Sequence, residues 1–545
     1  MDEAARQPSK QLAAWLGTVP PMLAERHFDG RIVRCFAARP RSTFDLLAGT
    51  VRSNPDAEAI VFGEERLTYR QFARLIDMWA QKLTRLGVTR GDRVAMLLGN
   101  GLAFPAVFFA TQKLAAIAVP INVREQTPGL AYMLSHCGAK VLIYERDLAE
   151  RLPDTSATPH LNHRVALSPE ALGGGLEQPE GDQGIPAPPP QEVEEEDTAA
   201  ILYTSGTTGR PKGAMLTHLG ICHSAMHYEC CMGLTSSDRS VIAVPMSHVT
   251  GIVALIAGIT RAAGTLVVMR SFKAAEFIAL AERERMTHTL LVPAMYNLCL
   301  LEPRFADADL SAWRVGGYGG APMATATITR LTGKLPRLQL MNAYGATETT
   351  SPATLMPPAD TTAHADSVGK AVPCGEVLVM DDEECEVPAG TMGEIWLRGP
   401  MVVRGYWENP EATAEHFVAG FWRSGDIGSV DQQGYVRVLD RKKDVINRGG
   451  YKIYSVEVEN ALLDHAGVIE AAVIAKACPV LGERTHAVVC VTDTRLTADL
   501  LARHCSSRLA DYKVPDSISF RDTPLPRNAN GKVMKRELRQ ELPNA

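Results

Sequence analysis

Ala199-Ala-Ile-Leu-Tyr203 runs without a break into Thr204-Ser-Gly-Thr-Thr-Gly-Arg-Pro-Lys-Gly213. This passage from an apolar strand into a glycine- and hydroxyl-rich loop decides how the chain is read. The ten residues from Thr204 hold three glycines, three threonines, a serine and two cations. Glycines let backbone N–H groups approach phosphate oxygens, hydroxyls add neutral donors, and Lys212 supplies charge, so the loop can cradle a triphosphate. The plain alternative is a turn that binds nothing. It is not a Walker A loop, because Pro211 precedes the lysine and Gly213 follows it where G-x-x-x-x-G-K-[ST] needs other residues.

Outward from the loop, helical and strand-like stretches alternate. Thr68 to Leu86 repeats apolar residues at helical spacing and stops at Gly87, which predicts an amphipathic helix. Asp92 to Leu98, Val141 to Tyr144, Val241 to Val244 and Thr289 to Val292 are short apolar runs of strand type. The rhythm predicts an α/β fold with buried, layered sheets. Residues 151–198 differ, being rich in Pro, Gly and Glu without periodicity, and read as a solvated surface linker. Tyr435 to Leu439 is a strand expected to end in a charged turn, Asp440 to Asp444. From there to the end 17 Lys and Arg outnumber 14 Asp and Glu, against an acidic excess before it. A domain boundary is therefore expected at 440. It leaves a large N-terminal domain of several subdomains, residues 1–439, and a small α+β C-terminal domain, residues 440–545, with Val456 to Leu463 helical and Ala471 to Ile474 and Ala487 to Val491 extended.

Composition limits the rest. With 545 residues, 46% hydrophobic and 22% charged, the chain has ample material for a core. A net charge of −6 argues against nucleic acid as the main partner. No apolar run reaches the roughly 18–20 residues that cross a bilayer, the nearest being Gly251 to Ile259, and the acidic start shows no signal-peptide pattern. Eleven cysteines without metal-ligand spacing read as free thiols in a reducing cytoplasm.

Tyr203 to Gly213 is similar to the signature loop of the adenylate-forming superfamily, which comprises acyl-CoA synthetases, peptide-synthetase adenylation domains and beetle luciferase. Five further motifs follow in that family's order: Tyr344-Gly-Ala-Thr-Glu348, Ser424-Gly-Asp426, Asp440-Arg441, Gly449-Gly450-Tyr451-Lys452-Ile453 and Pro526-Arg-Asn-Ala-Asn-Gly-Lys532. The resemblance covers roughly residues 40 to 540 and points to the acyl-CoA synthetase branch.

That family joins a carboxylate to the α-phosphorus of ATP, releasing pyrophosphate, and then passes the acyl group to a thiol. An anion attacks an anion, so charge neutralisation and alignment are the protein's main tasks. The resemblance implies that Thr204, Ser205, Gly206, Thr207, Thr208, Gly209 and Lys212 hold phosphates, and that Lys532 contacts the α-phosphate and the acyl carboxylate. It makes Glu348 the ligand of Mg²⁺, with Thr347 donating to the α-phosphate. Tyr344, next to Gly345, stacks on adenine while the turn Gly319-Gly320-Ala321-Pro322 allows close approach. Asp426 and Arg441 take the ribose hydroxyls. His248 is a steric and polar gate between acid and nucleotide, not a general base, since a carboxylic acid is already ionised near pH 7. Gly449 and Gly450 admit the pantetheine arm of CoA, and Lys443 stands at the hinge about which the mobile small domain rotates between the two half-reactions.

The acid pocket is expected near Tyr228, His248, Val249, Gly251, Tyr318, Gly319, Ala343 and Ser351. Two tyrosines and no evident cation there lean toward a monocarboxylic aromatic, alicyclic or medium-chain acid. The rivals are a ligase that loads a carrier-protein thiol and, more remotely, a luciferase-like oxidase or a non-catalytic nucleotide-binding scaffold. The presence of Lys532 and Glu348 speaks against the scaffold. A homodimer would fit.

Overall fold

The computed structural model describes residues 15–28, 30–168, 187–204, 210–491, 495–527 and 533–541. The chain divides into two compact units. Met1–Pro322, Thr329–Val377 and Leu397–Trp422 form the first; Met323–Ile328, Leu378–Trp396 and Arg423–Ala545 form the second.

The helical spacing over 68–86 becomes the helix Tyr69–Arg85. Thr68 Oγ1 accepts from the Gln71 N–H while the Gln71 side chain accepts from the Thr68 N–H, satisfying two donors at the helix start. Gly87, at φ 74°, turns the chain at the other end. The strand-type runs enter two large sheets of the first unit. One has six strands in the order Lys212–Thr217, Thr198–Thr204, Ile117–Pro120, Arg93–Leu97, Val141–Glu145, His163–Leu167, parallel except for its first pair. The other has nine, with a parallel centre running Gln339–Tyr344, Val315–Gly319, His288–Leu291, Arg239–Ile242, Thr265–Val268, Glu58–Phe62.

Two helices of this unit are apolar nearly all round, which requires cover on every side. Ala103–Lys113 is buried at every residue, and His218–Met232 at every residue but Glu229. The apolar run at 251–259 forms a wide-turned π-helix, Thr250–Ala257, that passes into Gly258–Arg261. Among the described residues no helix is long and apolar enough to cross a membrane. All eleven cysteines are free thiols, and only Cys385 is exposed.

Residues 151–198 are not simply a solvated linker. His163–Leu167 is the edge strand of the six-stranded sheet, and the acidic stretch after residue 192 is a clamp. The Glu195 carboxylate accepts from Arg39 Nε and Nη2 at 2.7 and 2.8 Å, and Glu196 lies 2.9 Å from His27 Nδ1. The same Arg39 donates twice to Glu25, whose carboxyl it holds down to about 2. Carbonyls of Glu195 and Asp197 accept the first N–H groups of the helix His218–Met232. Its glutamates looked like solubility charges because Arg39 and His27, which bind Glu195 and Glu196, lie far away in sequence.

The second unit carries a five-stranded sheet of Tyr451–Ile453, Ile446–Arg448, Gly482–Val491 and Val468–Cys478, with Ser517–Arg521 parallel to the third. Helix Ser455–Leu463 covers it through Val458 and Leu462, which share a core with Ile446, Ile453, Val473, Val489 and Leu501. The strand expected to stop before residue 440 runs on as Val436–Arg441, so Asp440 and Arg441 are strand residues and the turn is Lys442–Asp444.

Helix His218–Met232 carries buried histidines that must stay neutral. His223 Nδ1–H donates to Leu219 O at 2.9 Å and Nε2 accepts from the Phe36 N–H at 3.1 Å, while burial pushes its pKa down to about 4. The unfolded chain takes that proton near pH 6.5. Stability is therefore full above that pH and falls as the pH drops toward 4, by at most about 1.4 kcal/mol per pH unit for this histidine. Urea midpoints between pH 6.5 and 4.5 should fall less steeply for His223→Gln than for the wild-type chain; equal slopes would show that His223 carries no such linkage.

Candidate active site

The strand Lys212–Thr217 folds back on Thr198–Thr204 in a register that pairs Lys212 with Thr204, so both ends of the signature loop are pinned side by side. Ser205, Gly206, Thr207, Thr208 and Gly209 lie outside the described residues. The other edge of the returning strand is taken by residues 405–407. Met215 N–H donates to Gly405 O at 3.1 Å, Trp407 N–H donates to Gly213 O at 2.8 Å, and Ala214 bridges to Tyr406.

This zipper brings Tyr406 against Glu348. Glu348 sits in the short turn Thr347–Thr349 just beyond the strand Gln339–Tyr344, and Val403 N–H fixes that turn by donating to Glu348 O at 2.9 Å. The carboxylate, 8% exposed, accepts from Tyr406 Oη at 3.0 Å and from Thr204 Oγ1 at 3.4 Å. Burial, with Glu348 adding to it, raises the Tyr406 phenol far above its ordinary range, so it stays a donor. Lys212 Nζ lies over the Tyr406 ring, 5.2 Å from its centroid, and 2.7 Å from His416 Nε2. Thr204, Lys212 and Glu348, singled out in the sequence, thus meet in one cluster. Tyr406 and His416 join them unforeseen; a tyrosine in Arg-Gly-Tyr-Trp reads as core, and nothing in the sequence ties His416 to a lysine 204 residues away.

Tyr344 and the turn Gly319-Gly320-Ala321-Pro322 leave adjacent parallel strands at their C-terminal ends, with Gly319 paired to Ala343. That is the edge where open α/β sheets bind ligands. Gly320 turns there at φ 79°. Gly345, with Tyr344, precedes the Glu348 turn. A Cβ on Gly319 would sit 2.3 Å from Ala343 O, and one on Gly251 would sit 2.4 Å from Pro245 O. Backbone crowding therefore accounts for these two glycines without any appeal to room for an acid.

Of the remaining pocket residues His248 is half-buried and the others are buried, Tyr228 and Tyr318 at 1% exposure, with Val249 and Ala343 little more open. Tyr228 Oη lies 3.1 Å from Ser351 Oγ. Desolvation pushes His248 down to about 4, so its imidazole is neutral at pH 7. Its ring Nδ1 is 3.3 Å from Thr250 Oγ1, and no hydrogen bond joins it to Tyr228 or Glu348 among the described residues.

In the second unit Asp426 and Arg441 face each other across paired strands, with Arg441 Nε donating to Asp426 Oδ1 at 2.7 Å. Ser424 Oγ accepts from the Asp426 N–H at 3.0 Å within the same strand. Gly449 and Gly450 form a two-residue hairpin turn, φ 57° and 92°, between Ile446–Arg448 and Tyr451–Ile453. The turn alone demands two residues at positive φ. Lys443 lies in the turn Lys442–Asp444, and Lys532 is outside the described residues. Several cations that looked solvated are paired. Lys535 Nζ is 2.7 Å from Glu459 and Arg539 is 2.6 Å from Asp444, while Arg448 binds Asp516.

The family description that this geometry meets is "AMP-binding enzyme", whose model matches residues 47–407, with the C-terminal domain of the same enzymes matching 457–532. Long-chain-fatty-acid–CoA ligase FadD13 of Mycobacterium tuberculosis is 34% identical over 87% of this chain and 93% of its own length. Feruloyl-CoA synthase of an Amycolatopsis species is 36% identical over 90% and 97%. Among solved structures, ATP-bound MatB from Rhodopseudomonas palustris matches 92% of this chain and 99% of its own, with a TM-score of 0.84 at 28% identity. The chain belongs to the AMP-binding enzyme family, in its acyl-CoA synthetase branch.

Tyr406→Phe keeps the ring under Lys212 and removes only the donor to Glu348. A hydrogen bond to a charged group contributes about 1.5–3 kcal/mol, so acid-dependent ATP–pyrophosphate exchange should fall roughly 10- to 100-fold with little change in melting temperature. An unchanged exchange rate would mean that the phenol does not set the Glu348 carboxylate.

Proposed function

We propose that this acyl-CoA synthetase activates a monocarboxylic aromatic, alicyclic or medium-chain acid in the cytoplasm. The acid and ATP give acyl-AMP and pyrophosphate, and CoA then takes the acyl group and releases AMP. The observation that carries the reading is the cluster of Thr204, Lys212, Glu348 and Tyr406, which gathers a cation, a buried carboxylate and hydroxyls around one loop. Relatives named for long-chain fatty acids and for ferulate support the acid class, and so does the absence of Lys and Arg from the pocket residues named above.

Glu348 suits Mg²⁺, which favours one or two carboxylates and completes its shell with phosphate oxygens and water. The donor set fits: one buried carboxylate, flanked by Thr204 and Tyr406 hydroxyls. When bound, the ion supplies positive charge against the polyphosphate. The chain's own residues do the rest. Lys212 and the loop amides and hydroxyls hold phosphates, Thr347 and Lys532 meet the α-phosphate, Tyr344 stacks on adenine, and Asp426 with Arg441 takes the ribose. His248, neutral at pH 7, is the steric and polar gate between the acid and the nucleotide.

The second half-reaction needs another face at the same centre. We assign residues 440–545 to a lid that turns about Lys443, exchanging Lys532 for the Gly449–Gly450 turn, beside which pantetheine passes. Hinges of this kind are a few boundary residues that absorb φ/ψ change. Lys443→Pro should leave acyl-adenylate formation largely intact and slow thioester formation at least tenfold, while Lys532→Ala should do the reverse. Equal loss of both steps by both variants in single-turnover assays would refute alternation.

A screen of aromatic, alicyclic and straight-chain acids, reading pyrophosphate and acyl-CoA separately, tests the whole proposal. Acyl-CoA should appear for one of these acid classes. Acyl-adenylate without CoA ester would assign the thiol to a carrier protein instead, and no acid-dependent pyrophosphate release would overturn the activity.

A further inference from the structure

Lys212 is an unusual cation. It is 7% exposed, yet among the described residues its ammonium makes no ion pair. Its neighbours are an imidazole nitrogen at 2.7 Å and a ring face. An ammonium has only protons to offer, so the His416 Nε2 that faces it presents a lone pair and the ring is neutral. The hydrogen bond is made without cancelling the charge. A carboxylate in the same place would make a stronger pair and leave nothing for a phosphate to neutralise.

Local structure holds both neighbours as one piece. Asn409 Oδ1 caps the helix Pro410–His416 by accepting from the Ala412 N–H, and Thr413 Oγ1 accepts from the Tyr406 N–H at 3.0 Å while donating to Asn409 O at 2.8 Å. The Tyr406 ring then meets the His416 ring nearly edge-on, 6.0 Å between centroids. Among the described residues, the charged groups facing the imidazole include Lys212 and, 3.9 Å away on its own helix, the exposed Glu415.

We propose that His416 is a positioning residue for the ATP polyphosphate: it fixes the Lys212 ammonium through a neutral acceptor, so that a directed but uncompensated positive charge awaits the phosphates that leave as pyrophosphate. The inference rests on the adenylating activity proposed above and adds the residue that keeps its phosphate lysine available.

Binding separates the two. Calorimetry on the full chain with Mg²⁺ would compare α,β-methylene-ATP with AMP, which lacks the leaving phosphates, for wild type, His416→Gln, His416→Ala and His416→Glu. The glutamine amide oxygen can accept from Lys212 and should keep analogue affinity within about threefold of wild type. Alanine should weaken the analogue roughly five- to twentyfold, and glutamate more, because it neutralises Lys212. AMP affinity should stay within about twofold throughout. Glutamine and glutamate differ only in charge, so their contrast decides the matter even if alanine unfolds the chain. Glutamate binding the analogue as tightly as glutamine would overturn the proposal, as would equal weakening of analogue and AMP, or a wild-type chain that binds no analogue. A wild-type chain that binds the analogue as expected but shows no acid-dependent pyrophosphate exchange would instead count against the activity alone.

Discussion

The pairing of Lys212–Thr217 with Thr198–Thr204 is the constraint on which the site depends. It closes the edge of the six-stranded sheet and sets Thr204 and Lys212, the two ends of the nine-residue signature stretch, opposite each other. Because residues 405–407 zip onto the far side of the same strand, the backbone that anchors the loop also delivers Tyr406 to Glu348. A few main-chain hydrogen bonds thus fix the relative positions of a lysine, a carboxylate, a phenol and an imidazole drawn from three distant stretches of chain. Main-chain ladders suit this task, since sliding by one residue would turn every side chain to the opposite face.

Much of this was legible in the sequence, for identifiable reasons. The helix Tyr69–Arg85 carries its own start and stop signals, and the buried parallel strands are short apolar runs between helices. Thr204, Lys212 and Glu348 stand out because their neighbours form recognisable motifs. What could not be read depends on long-range partners. Tyr406 and His416 acquire meaning from residues 58 and 204 positions away. Gly251 and Gly319 were expected near the acid pocket, and the sequence did not reveal that each also lies against a carbonyl oxygen that leaves no space for a methyl group.

Charge was the least transparent property. The basic excess of the last hundred residues marked a domain boundary without showing which cations are paired, and the glutamates after residue 192 suggested mere solvation. In both cases partners are already present, as with Lys535 and Glu459 or Arg39 and Glu195. Counting charges along a chain cannot separate a paired ion from an available one. Lys212, by contrast, is buried, and its hydrogen-bond partner carries no charge.

The six-stranded sheet has one more consequence. His163–Leu167 and Thr198–Thr204 stand on either side of residues 168–187, and each pairs with strands from residues 93–145. The acidic residues Glu195 and Glu196 are held by Arg39 and His27, which lie before residue 40. The sheet's hydrogen bonding therefore does not require a continuous backbone through that stretch. Among the described residues, a chain opened there into two pieces retains every strand partner, so the described ladder can reassemble from two fragments.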